Sequence, residues 1–148
     1  MDVRSSAVIL TVLGCCISSQ PSWGDPPVAA HYDSSKPVQL RGMAAKILFA
    51  APHSYLWLDV RETSGEITHW VVELDDTEKV GAAGLTRRAA APGMIMTVTT
   101  YGAKAGANLV DAIPTAPPEV QEAAKAGRLV HGTELQLPDG RTIVVGAK

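Results

Sequence analysis

The chain predicts a mainly β fold: a small OB-like barrel of five to six strands with one short helix inserted near the C-terminus. Three observations carry this. The first strand is long and changes phase: Val38, Leu40 and Gly42 share one side, whereas Met43, Ile47 and Phe49 share the other. Side chains in a strand alternate with period two, so a switch of face at a glycine marks a bulge or bend. A long bent first strand that serves two sides of a barrel is what an OB-type barrel requires. Alternating β-branched and aromatic strands follow at short spacing, and a hairpin closes the chain.

Each element has its own signal. The first strand runs from about Val38 to Phe49. The second, about Ser54 to Arg61, places Leu56, Leu58 and Val60 on one face and Tyr55, Trp57, Asp59 and Arg61 on the other. The third, about Ile67 to Leu74, places Trp70, Val72 and Leu74 on one face and His69, Val71 and Glu73 on the other. Thr63-Ser64-Gly65 reads as a three-residue hairpin loop with Gly65 left-handed. That register sets Asp59 opposite His69, Trp57 opposite Val71, and Tyr55 opposite Glu73. All six then lie on the outer, non-core face, and Trp70 packs in the core. Residues 75–91 form a connector of weak helical character, since Gly81 and Gly84 disfavour a regular helix. Pro92-Gly93 turns the chain into a fourth strand, Met94 to Tyr101. Asn108 to Ile113 reads as the start of a fifth strand that Pro114 to Pro118 breaks. Glu119 to Ala126 is a short helix, with prolines before it and Gly127 after it. Thr133 to Leu137, the turn Pro138-Asp139-Gly140, and Arg141 to Val145 form the closing hairpin. The helical insertion spans about 114–132.

Upstream of the barrel, residues 1–24 read as a signal peptide. Arg4 supplies a basic start, Ser5 to Ile17 an apolar stretch, and Ser22 and Gly24 the small residues before a cleavage point. The apolar stretch is too short to span a bilayer, so no transmembrane segment is expected in the mature chain. The expected location is periplasmic or secreted. Val12-Leu13-Gly14-Cys15 offers the alternative of a lipid anchor through Cys15. Cleavage after Gly24 removes both cysteines, which excludes disulfides and thiolate chemistry from the mature chain. Residues 25–35 read as a flexible lead-in, and residues 36–148 as one barrel domain. The net charge of −2 and the lack of a basic stripe argue against nucleic acid as a partner.

Lys36-Pro37-Val38 with Gly42, Pro52-His53, Trp70 with Glu73, Leu85-Thr86-Arg87, Pro92-Gly93, Tyr101 with Ala103-Lys104, and a terminal Asp139-Gly140-Arg141 follow one another in this order. Together they resemble small secreted bacterial proteins of unknown function, the domain-of-unknown-function family 6152. The resemblance covers about Ala30 to Gly106 and Thr133 to Val145, and it implies an exported OB-like β-barrel with no assigned activity. Family members often begin the mature chain with adjacent histidines, where this one has Asp25-Pro26-Pro27. An asparagine commonly precedes their Pro-His pair, where this chain has Ala51. Leu85 stands where a tryptophan is common, and Met94 where an acidic residue often follows the turn.

The candidate ligand-binding residues are His53, Tyr55, Trp57, His69 and Glu73. His53 sits in the loop between strands one and two, which borders the usual ligand surface of OB barrels; equally, its ring can fix the turn. Tyr55 and Trp57 on an exposed sheet face can stack on a sugar, base or peptide, unless the 114–132 insertion packs over them. Asp59 and His69 read as a cross-strand pair. The alternative is a metal site built from His53, His69 and Glu73, although one structural zinc usually takes four protein ligands. No catalytic nucleophile elbow, phosphate loop or dinucleotide fingerprint is present. The expectation is a non-enzymatic binding or accessory module that needs no cofactor, with a small ligand or a protein as partner.

Overall fold

The long first strand of the barrel pairs with two different neighbours along its length. A computed structural model describes residues 28–147; the expected signal peptide and Cys15 lie outside the described residues. After one turn of helix, α1 (Val28–His31), β1 runs for 17 residues, Tyr32–Leu48. Its first half pairs with β4 (Ile95–Ala103), from Pro37 opposite Tyr101 to Met43 opposite Ile95. Its second half pairs with β2 (Ser54–Arg61), from Met43 opposite Asp59 to Leu48 opposite Tyr55. One strand thus belongs to both walls, as the phase change predicts.

The break in register lies between Ala44 and Lys46, beyond the glycine. Gly42 has a different task. A Cβ there would stand 2.6 Å from the Asp59 carbonyl oxygen and 2.9 Å from Leu58 Cγ, so only glycine lets β1 and β2 approach this closely. The extra residue at position 45 then turns Ile47 and Phe49 back against the barrel core.

β2 and β3 (Ile67–Leu74) form the expected hairpin, with Tyr55 opposite Glu73, Trp57 opposite Val71 and Asp59 opposite His69. Gly65 takes φ 89° in the loop. β3 then pairs in parallel with β5 (Leu129–Gln136): Val71 with Leu129, Val72 with Val130, Glu73 with His131. β5 also pairs antiparallel with β4. These pairings close a five-stranded ring, β1-β2-β3-β5-β4, and leave the short β6 (Thr142–Val144) outside it on β5. Closure removes the exposed strand edges that invite aggregation. Leu56, Leu58, Val72, Leu74, Met96, Val98 and Leu135 fill the interior. α2 (Thr77–Ala82) plugs one end through Val80, and its N-terminus is capped by the Asp76 carboxylate on Lys79 N–H.

A second apolar cluster lies outside the ring. Tyr55 and Val71, both on the outer face of the hairpin, pack with Tyr101, Leu129, Leu109, Ile113 and Val120. The last three come from the connection between β4 and β5, which carries α3 (Leu109–Ala112) and α4 (Pro118–Lys125). α4 corresponds to the expected helix. The expected strand over 108–113 is instead α3, because the Asn108 side chain accepts from Val110 N–H and starts a turn. Residues 32–35 of the expected lead-in belong to β1. Tyr32 is buried at the start of β1 and pairs with Ala103, and the His31 carbonyl accepts from Lys104 N–H at 2.9 Å. Trp70 is half-buried and packs against the inner core.

Gly132 sits where β5 crosses the interior, and a Cβ there would stand 2.6 Å from Val72 Cγ1 and 3.1 Å from Leu74 Cδ2. Gly132→Ala therefore forces the core apart and should cost about 1–3 kcal/mol in urea unfolding. An unchanged midpoint would contradict this packing.

Candidate functional site

Glu73 is the only carboxylate among the buried residues described. It points outward from β3, between Tyr55 on β2 and His131 on β5. An unpaired buried carboxylate is strongly unfavourable. Here the Tyr32 hydroxyl donates to Oε2, and His53 Nδ1 pairs with Oε1. Burial pushes the Glu73 carboxyl up, but the bonds from His53 and Tyr32, with the positive charges that His53 and His131 carry once protonated in acid, hold it below the ordinary glutamate value. Burial, with the Glu73 charge and bond adding to it, pushes the Tyr32 phenol far up, so Tyr32 remains a donor.

His131 completes the cluster. Its ring lies 5.4 Å from that of Tyr32. Nε2 lies 3.0 Å from the Ala147 carbonyl oxygen; a carbonyl only accepts, so Nε2 carries the proton. Nδ1 then holds a lone pair, buried and without a partner among the described residues. Burial lowers the His131 pKa, despite the Ala147 bond and the nearby Glu73 and Asp75 carboxylates, which favour the charged form. The ring is neutral near pH 7. Through these groups the start of β1, the loop between β1 and β2, β3, β5 and the C-terminal segment meet at one carboxylate. This arrangement can hold a charge and tie chain segments together.

A cavity of about 610 Å³ opens beside this roof, at the barrel mouth where β4 enters the helical connection. Val38, Leu40 and Trp70 line it from the barrel, and Leu109, Val110 and Ala124 from the cover. Gly102 and Val130 complete the apolar wall.

A family model described as "Family of unknown function (DUF6152)" matches residues 15–110. The chain belongs to this family. The DUF6152 match takes in β1 to β4 with Tyr32, His53 and Glu73, and it ends within α3; α4, β5 and His131 lie beyond it. No match to the chain was found among curated proteins or among solved structures. Among the described residues, no helix is long and apolar enough to cross a membrane.

The five sequence-derived candidates separate. His53 and Glu73 meet, and Tyr55 lies beside them. Tyr55, however, is buried under α3 and α4 with its ring edge-on to Trp57, centroids 6.5 Å apart. Trp57 is half-covered, with Lys46 Nζ 4.4 Å from its ring centre and that ammonium 2.7 Å from Glu119 of α4. The open stacking face expected at Tyr55 and Trp57 is thus closed by the chain itself. His69 is exposed on Asp59 at 2.7 Å, four residues from Glu73 along β3, about 13 Å at the usual strand rise. The expected His53, His69 and Glu73 cluster therefore does not form. Among the described residues, no group of three His, Cys, Asp or Glu side chains could hold a metal ion. Sequence reasoning missed Tyr32, which fell in the expected lead-in, and His131, which fell in the expected insertion. The apolar pair Leu129-Val130 directly before His131 was the available signal that β5 starts early.

Tyr32→Phe removes a hydrogen bond to a buried charge and should cost about 1.5–3 kcal/mol in denaturant unfolding at neutral pH. A loss below about 0.5 kcal/mol, the ordinary range for a surface change, would contradict the tie. The pH dependence follows from the two shifts. His131 is held neutral, so its contribution declines as pH falls below the unfolded value of about 6.5. Glu73 is held ionised, so its contribution persists to lower pH and is lost as pH falls through its depressed folded value. Thermal melts should show declining stability from pH 7 to 5. His131→Gln, which keeps a donor for Ala147, should flatten that slope; an unaltered slope would remove His131 from the account.

Proposed function

We propose that this protein is a non-enzymatic, exported binding module that takes a small apolar molecule at the barrel mouth, beneath the α3–α4 cover. The cavity of about 610 Å³ carries this reading. Its size lies in the ordinary range for small-molecule sites, and its walls are mainly apolar. OB barrels use the β2–β3 face and the loops flanking it for ligands. In this chain α3 and α4 pack on that face through Tyr55 and Val71, and the cavity at the mouth lies beside them. The leader pattern of residues 1–24 supports a place outside the cytoplasm.

Gly102 offers a direct test. It lines the cavity, and a Cβ added there would meet nothing within 4 Å, so a side chain can start from this position without a backbone clash. The neutral probe N-phenyl-1-naphthylamine should brighten saturably with the native protein. Gly102→Phe should weaken that binding by about tenfold or more, equivalent to about 1.4 kcal/mol, at an unchanged melting temperature. Equal binding by both proteins would rule out the mouth as the site.

A further inference from the structure

Resting on that reading, we infer that the natural ligand is uncharged and carries a hydrogen-bond acceptor, which the indole N–H of Trp70 receives. The inference comes from the polar groups of the cavity wall. The Thr100 hydroxyl donates to the Val38 carbonyl at 2.9 Å. The Asn108 amide donates to Asp111 at 2.7 Å, and its carbonyl accepts from Val110 N–H at 3.2 Å. The Lys125 ammonium lies 2.7 Å from the Glu122 carboxylate. These groups already have partners in the protein. Trp70 differs: its Nε1–H is buried and has no acceptor among the described residues.

A buried donor left unpaired costs about 1–3 kcal/mol, and most such groups in native proteins have a partner. Indole is a donor only, so the group that satisfies it must accept. Nε1 itself is buried, so the lining must part before a ligand can reach it. The wall contains Gly102, Ala103, Ala107, Ala124 and Gly127, whose small side chains present little to move. A ligand carboxylate would have to compete with Glu122 for Lys125 and would bring a second negative charge beside it. A ligand cation would face Lys125 and add donors where an acceptor is needed. A neutral molecule bearing a ketone, ester or ether meets neither obstacle. The ligand class is therefore an apolar body of up to drug-like size with one such oxygen.

The test uses the full chain and four naphthalenes of matched size, each displacing N-phenyl-1-naphthylamine: 2-acetonaphthone, 2-ethylnaphthalene, 2-naphthoate and 2-naphthylmethylammonium. The ketone should bind about tenfold tighter than the other three. Trp70→Phe should abolish the ketone's advantage, so that the variant binds the ketone and the ethyl compound equally. If that variant does not fold, the native protein still decides. The Trp70 indole N–H resonance should move downfield on addition of the ketone and stay in place with the ethyl compound. Tighter binding of the naphthoate, or a ketone advantage without movement of the Trp70 resonance, would overturn the inference while leaving the binding module intact. Failure of the probe and all four compounds to bind would remove both.

Discussion

A charged carboxylate sealed between two layers is the constraint on which this structure depends. Glu73 is buried on the outer side of the barrel wall, beside the apolar cluster that joins the wall to α3 and α4. Burial there is tolerable only with donors supplied by the protein. Tyr32 brings the start of β1 to it, and His53 brings the loop that precedes β2. His131 brings β5 alongside and holds the C-terminal segment through Ala147. Segments distant in sequence are therefore required at one point, and each register that meets there is fixed by the same need. A slip of one residue in β3 would turn Glu73 into the hydrophobic interior and Val72 outward.

The same constraint shapes what the surface can do. The β2–β3 face, which OB barrels offer to ligands, is here the floor for α3 and α4. Tyr55 and Val71 give up solvent contact to bind the cover, and Lys46 clamps its rim through Trp57 and Glu119. Beside the covered face, a cavity opens at the barrel mouth. There the chain places small residues and one indole whose donor has no protein partner among the described residues. The barrel and its cover thus act as two walls of one cleft.

Much of this was legible in the sequence where interactions are local. Alternation of Leu56, Leu58 and Val60 against Tyr55, Trp57 and Asp59 identifies β2, and Thr63-Ser64-Gly65 specifies the register of the hairpin down to Tyr55 opposite Glu73. The phase change in β1 reveals a strand shared by two walls, although the irregularity follows Ala44. The site was less legible because its parts come from afar. Alternation assigns Glu73 to the non-core face; it does not say that a second layer will cover that face. Tyr32 lies 41 positions from its partner Glu73, and His131 gains its neighbours only through the parallel pairing of β3 with β5. Asn108 was read as strand because the cap it forms competes with the β-branched signal of the residues that follow.

The central claim is that Glu73 is buried, ionised and held by Tyr32 and His53. Carbon-13 NMR of the glutamate side-chain carboxyls, followed through an acid titration, reads that state directly. The Glu73 resonance should remain that of a carboxylate below the pH at which an ordinary glutamate titrates, about 4.3. Tyr32→Phe should raise its titration midpoint. A Glu73 carboxyl that is protonated near neutral pH, or that titrates at the ordinary value in both proteins, would contradict the account.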